Sequence, residues 1–134
     1  MNKMQVQVKE FYELMQRSSA SPGFATPEAL VDMQDYPTLI RFRLIHEELD
    51  EFLKACMQQD PVEVVDAICD LLYATFGAAV CLGVDIEGAF NLVHESNLKK
   101  AGGPTDHAGK IQKPEGWKPP DIAGWLTEHH GYRA

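Results

Sequence analysis

The feature that most constrains this chain is a pair of aspartates, Asp66 and Asp70, four residues apart in a segment that is otherwise apolar nearly all round. Val64, Val65, Ala67, Ile68, Cys69, Leu71, Leu72 and Tyr73 surround them. A helix with that character belongs in a core, where an unpaired carboxylate costs on the order of several kcal/mol. The two acids must therefore be protonated, matched by bases or neutralised by a cation. The segment itself carries no Lys or Arg.

The punctuation around this segment divides the chain into helices. A first helix is expected over about Lys3 to Arg17, with Val6, Phe11, Leu14 and Met15 as its apolar face, broken by the stretch from Ser18 to Gly23. From there to Tyr36 the pattern fits either a loop or a short helix. Asp35 or Tyr36, followed by Pro37, starts a second helix. Its Phe42, Ile45, Leu49, Phe52, Leu53 and Cys56 recur at helical spacing. Asp60, Pro61 and Glu63 form the start signal of a third, a capping box with Asp in the cap role, and Gly83 is placed to end it. Asp85 is a further cap candidate, for a fourth helix over Ile86 to Lys100. The proline- and glycine-rich tail from Gly103 to Pro120 is expected to be irregular, with one last short helix at Asp121 to His129. No run alternates in the manner of a strand, so the fold class is all-α, a single domain over 1–134 with a four-helix core at about 36–101.

Acids concentrate where the second and third helices meet. Glu47, Glu48, Asp50, Glu51, Asp60, Glu63, Asp66 and Asp70 face the single base Lys54. Most charge runs are solvated helix faces, but Glu47, Glu48 and Glu51 project to one side of the second helix, beside its apolar stripe. If the two helices form an antiparallel hairpin through Gln58 to Pro61, Glu51 nears Asp66 across it and Glu48 lies opposite Asp70. Four or five carboxylates converging without a base suit a hard divalent cation, Mg²⁺ or Mn²⁺, better than zinc or copper. A di-iron bundle would need Glu-x-x-His on two helices, and His46 and His94 are not so placed.

Composition narrows the remaining classes. At 134 residues and 45% hydrophobic content the chain builds about one core, and its broad apolar faces favour a homodimer or homotetramer. A net charge of -8 argues against nucleic-acid binding. Cys56, Cys69 and Cys81 are odd in number, lack zinc spacing and read as buried small hydrophobes in a reducing compartment. The start shows no signal peptide, and the longest apolar run, Leu71 to Val84, is 14 residues, short of the roughly 18–20 that span a bilayer. A cytoplasmic location with no membrane partner is expected.

The run Arg41 to Glu51 (RFRLIHEELDE), the run Asp66 to Tyr73 (DAICDLLY) with Gly77, the run His94 to Lys100 (HESNLKK) and Gly109 to Pro114 (GKIQKP) together resemble the all-α nucleoside triphosphate pyrophosphohydrolase superfamily. That superfamily includes MazG-like proteins, dimeric dUTPases and phosphoribosyl-ATP pyrophosphohydrolase. The resemblance spans about Arg41 to Asp121. It implies a four-helix core completed by dimerisation, Mg²⁺ held by Glu-x-x-Glu and a following Glu-x-x-Asp, and hydrolysis of a nucleoside triphosphate to monophosphate and pyrophosphate. Glu48 and Glu51 match the first pair and Asp70 the final Asp. Ala67 stands where the pattern places its second Glu, and Asp66 is the substitute, one turn from Asp70.

On this resemblance Glu48, Glu51, Asp66 and Asp70 are the metal ligands, and Glu47 completes the shell or acts as general base. Asn97 resembles a position near the base or sugar, Tyr73 joins the substrate-binding set, and Lys100 and Lys110 neutralise the leaving pyrophosphate. The tail supports a phosphate role independently. Lys99, Lys100, Lys110, Lys113 and Lys118 fall in one stretch opposed only by Asp106 and Glu115. Trp117 and Trp125 read as core or interface anchors, and His94 as a packed or surface residue. Phosphoribosyl-ATP is the alternative substrate. A non-catalytic nucleotide-binding helical dimer is the alternative of another class.

Overall fold

The computed structural model describes residues 1–18 and 36–132. The ambiguous stretch before Tyr36, with Asp35, lies outside the described residues. Among those described, five helices and no strand are found: α1 (Lys3–Ser18), α2 (Tyr36–Gln58), α3 (Pro61–Cys81), α4 (Ile86–Leu98) and α5 (Ile122–His130). The fold is all-α, as the periodicity requires. The chain divides into two compact units, Met1–Ile86 and Glu87–Ala134.

In the first unit α2 and α3 pack as a hairpin, and α1 lies along α3. The link is as tight as the sequence signals demand. Gln59 takes a left-handed conformation with φ 55°, and the Asp60 carboxylate then accepts from the backbone N–H groups of Val62 (3.0 Å) and Glu63 (3.3 Å). With Pro61 in the first turn, the start of α3 is satisfied by side chain and ring together. At the other end the Val84 N–H reaches Ala79 and the Gly83 N–H reaches Val80, a Schellman closure that needs Gly83 at φ 69°. Gln5, 1% exposed, fastens α1 to this turn. Its Nε2 donates to the Val84 carbonyl at 2.6 Å and its Oε1 accepts from the Ile86 N–H at 3.1 Å.

Among the described residues the core of this unit is small: Val8, Ala55, Ala67, Ala79 and Val80 are the buried apolar ones. Here the structure corrects the sequence reading. α3 is not enclosed: among the described residues α2 and α1 pack against it, and much of its apolar surface stays open. Val62 (73% exposed), Val65 (61%), Ile68, Leu72 and Tyr73 are open. The cysteines follow suit, with Cys56 and Cys69 exposed and only Cys81 half-buried. Although the apolar run was too short, the whole helix is long and apolar enough, by length and composition alone, to cross a bilayer, but Asp66 and Asp70 on its middle turns would be costly there.

In the second unit α4 meets α5 at Gly88, where a Cβ would stand 2.6 Å from Trp125 Nε1. Asp121 caps α5 by accepting from the Gly124 N–H at 2.8 Å, and Trp125 stacks on His129. The Pro/Gly-rich stretch between the helices is irregular but not shapeless. Thr105 and Ile111 form an antiparallel bridge. Asp106 organises the turn between them, its carboxylate accepting from the N–H groups of Ala108 and Lys110 at 2.9 Å and from the Gln112 amide at 3.0 Å.

Candidate functional site

The α2–α3 hairpin brings the acids into one electrostatic neighbourhood. Glu48 is half-buried, while Glu47, Glu51, Asp66 and Asp70 are exposed. The premise that Asp66 and Asp70 are buried therefore fails for the single chain, since α3 is open on that side. What the structure does show is that these acids act on Glu48 electrostatically. The Glu48 carboxyl is pushed above its ordinary value of 4.5, first by partial desolvation, then by the negative charges of Asp70, Glu51, Glu47 and Asp66 in falling order. Asp70 leads the charges, as the hairpin register opposite Glu48 requires. Among the described residues no cation offsets them at Glu48.

Such a donor set is oxygen-only and anionic, the chemistry of a hard divalent ion. Among the described residues, no three His, Cys, Asp or Glu groups are drawn close enough to enclose an ion. Exposed carboxylates on rotatable stems splay when only like charges face them, so the field converges on Glu48 without the oxygens forming a cage. The residues fit the metal by chemistry and by electrostatics.

The other expected site residues are placed as follows. Tyr73 lies exposed on an apolar groove of about 420 Å³ between α1 and α3, lined by Met4, Val8, Cys69, Leu72 and Phe76, with Phe11 edge-on at 5.9 Å. None of the acidic residues lines that groove. In the second unit Asn97 and Lys100 form a pair, Lys100 Nζ donating to Asn97 Oδ1 at 2.8 Å. Lys110 is exposed at the Asp106-organised turn. Trp117 is half-buried, its Nε1 donating to the Ser96 carbonyl at 2.9 Å.

One cluster escaped the sequence reading. Arg41, two turns before Glu48 on α2, lays its guanidinium 4.9 Å from the Tyr12 ring centroid and donates to the Tyr12 hydroxyl at 2.5 Å. Gly77 makes room for that hydroxyl, since a Cβ there would collide with it. Burial raises the Tyr12 phenol, with Arg41 opposing, and burial likewise raises the Cys81 thiol against Arg41. The contacts join residues at least 29 positions apart, which no local spacing signals.

A search of curated proteins finds no match to the chain. A family model described as phosphoribosyl-ATP pyrophosphohydrolase matches residues 8–97, which takes in α2, α3 and every acid of the hairpin. The chain therefore belongs to the phosphoribosyl-ATP pyrophosphohydrolase family, a family of nucleotide pyrophosphohydrolases within the MazG-like superfamily.

Proposed function

We propose that the protein is a Mg²⁺-dependent nucleotide pyrophosphohydrolase that converts a nucleoside triphosphate to its monophosphate and pyrophosphate. The observation that carries this reading is the Glu48 environment: partial desolvation and then four further carboxylates raise its affinity for a proton, and among the described residues no base relieves them. A site that favours a proton for electrostatic reasons favours a divalent cation for the same reasons. Glu48, Glu51, Asp66 and Asp70 would hold the ion, with Mn²⁺ as an alternative. When bound, Mg²⁺ supplies charge neutralisation at the phosphate oxygens and a lowered pKa for water. Glu47, on the same side of α2, would accept the proton of the attacking water. Attack by that water breaks a phosphoanhydride bond, and pyrophosphate leaves. Lys100 and Lys110 would offset its charge as point cations, with Asn97 and Tyr73 toward the nucleoside.

A second reading is favoured by the name of the matched family model, namely that the substrate is phosphoribosyl-ATP. The chemistry is the same and the same residues serve it. Pyrophosphate release measured on a panel of nucleoside triphosphates and on phosphoribosyl-ATP, with Mg²⁺ and with EDTA, tests both. Release that needs Mg²⁺ supports the hydrolase reading, and the preferred substrate separates the two. No release from any member of the panel leaves the non-catalytic nucleotide-binding dimer.

The active form is proposed to be a homodimer or homotetramer in the cytoplasm, interacting with neither membrane nor nucleic acid. The open apolar residues of α3, together with Phe42, Leu49, Leu53 and Met57 of α2, support association, because large exposed apolar surfaces mark interaction sites.

A further inference from the structure

The second unit gathers positive charge on one ring. Lys100 Nζ lies 4.9 Å from the centroid of the Trp117 ring and Lys113 Nζ lies 4.8 Å from it. The two ammoniums are thus no farther apart than roughly the 10 Å Debye length of 0.1 M salt, so each feels the other. Neither forms an ion pair with a carboxylate among the described residues. A surface lysine commonly swings away from a like charge, and here two are gathered on one ring.

The ring is a fixed platform. Trp117 Nε1 is anchored on the Ser96 carbonyl at 2.9 Å, and the Trp117 N–H donates to the Pro114 carbonyl at 3.1 Å. Ser96 is buried and its hydroxyl reaches the Lys118 carbonyl at 3.4 Å. Lys100 is oriented a second time by Asn97 Oδ1 at 2.8 Å. The indole faces attract each ammonium by cation–π contact, worth about 0.5–1 kcal/mol at an exposed site, and this attraction holds the charges together before any ligand arrives.

We propose that Lys100, Lys113 and Trp117 form a polyphosphate-binding site, in which the two ammoniums take oxygens of adjacent phosphates of inorganic pyrophosphate or of a nucleotide's polyphosphate tail. Lys113 and Trp117 are its new members. A linked pair of phosphates answers both lysines at once, whereas orthophosphate or a monophosphate answers one at a time. The biological ligand rests on the pyrophosphohydrolase reading, but the binding chemistry does not.

The test is calorimetric titration of the full chain with inorganic pyrophosphate in EDTA at low salt, where the carboxylates, lacking a cation, repel the anion. Wild type should bind pyrophosphate saturably and orthophosphate more weakly. Lys113→Met, which keeps the apolar stem on the indole, should lose about tenfold in affinity, the value of one charge-assisted contact, and Lys113→Arg should restore most of it. Trp117→Phe should weaken binding while circular dichroism stays unchanged. A nucleoside triphosphate binding as tightly as pyrophosphate, and the monophosphate hardly at all, identifies the tail as the shared ligand. The site is overturned if wild type fails to bind pyrophosphate in EDTA, if Lys113→Met binds it as well as wild type, or if orthophosphate binds equally. Binding that depends on Lys113 without any turnover in Mg²⁺ would leave this site standing and remove the enzyme reading alone.

Discussion

Glu48→Gln separates the two things Glu48 is proposed to do, because the substitution removes the charge and keeps the volume. Without metal the charge is a liability. Glu51, one turn away on α2, contributes a like-charge helix pair of about 0.2–0.5 kcal/mol, and Asp70 and Asp66 across the hairpin add surface pairs that are often well below about 1 kcal/mol each. Because Glu48 is half-buried and its neighbours are exposed, solvent screens the sum, and a gain of roughly 0.5–1 kcal/mol is expected for the metal-free variant. In a chain of this size that is a rise in melting temperature of roughly 2–5 °C.

The pH dependence carries the sign. A carboxyl whose folded-state pKa is raised, as that of Glu48 is, contributes stability that is fully present below its ordinary value of 4.5 and is lost as pH rises through the folded value. The advantage of the Gln variant should therefore be present at neutral pH, shrink on acidification through that window and disappear once Glu48 is protonated in both states. Added Mg²⁺ should reverse the order, since an ion bound only by the native state stabilises wild type and the variant has lost a ligand. Thermal melts in EDTA and in Mg²⁺, run between neutral pH and pH 4 with turnover measured alongside, read all of this. A metal-free variant less stable than wild type at neutral pH, or one that retains Mg²⁺-dependent turnover, refutes the convergence argument.

Three further outcomes are expected. Asp66→Asn should shift the Mg²⁺ midpoint of activity upward if Asp66 is a direct ligand, and an unchanged midpoint leaves Glu48, Glu51 and Asp70 as the ligand set. Gly77→Ala should cost about 1–3 kcal/mol in urea unfolding, because the added methyl collides with the Tyr12 hydroxyl and displaces it from Arg41; a loss near zero means the Tyr12–Arg41 contact is not rigid. Sedimentation should give a dimer or tetramer, dissociated by Leu72→Glu or Val65→Glu on the open face of α3, and an active monomer would contradict the proposed assembly.

What was legible in the sequence is local. Asp60, Pro61 and Gly83 mark both ends of α3 because capping is decided within four residues, and the hairpin register followed from the short link they define. The action of Asp70 on Glu48 across the hairpin was legible for the same reason. Exposure was not, because a helix apolar on all sides reads as buried whether the cover comes from its own chain or from elsewhere, and in this chain α1 and α2 leave much of α3 open. Gln5 on the Val84 carbonyl, Arg41 on Tyr12 and two lysines on Trp117 were also invisible. Each joins positions that are distant along the chain or separated by irregular backbone, where no periodicity relates one side chain to another.

The departure at position 67 gains a physical meaning once burial is known. Ala67 is 6% exposed and Asp66 is open to solvent, as expected for neighbours separated by about 100° around a helix. Asp66 therefore cannot take the direction a Glu at 67 would have, and its charge is the weakest of the four that act on Glu48. Ala67 is one of the small buried residues in the first unit's core, where a Glu would need additional room. Under the proposed chemistry the ion would be held chiefly by Glu48, Glu51 and Asp70. Fewer protein oxygens leave more coordination positions to water and to substrate phosphate, an arrangement that suits Mg²⁺, which gives up its water reluctantly, better than it suits an ion demanding a full protein cage.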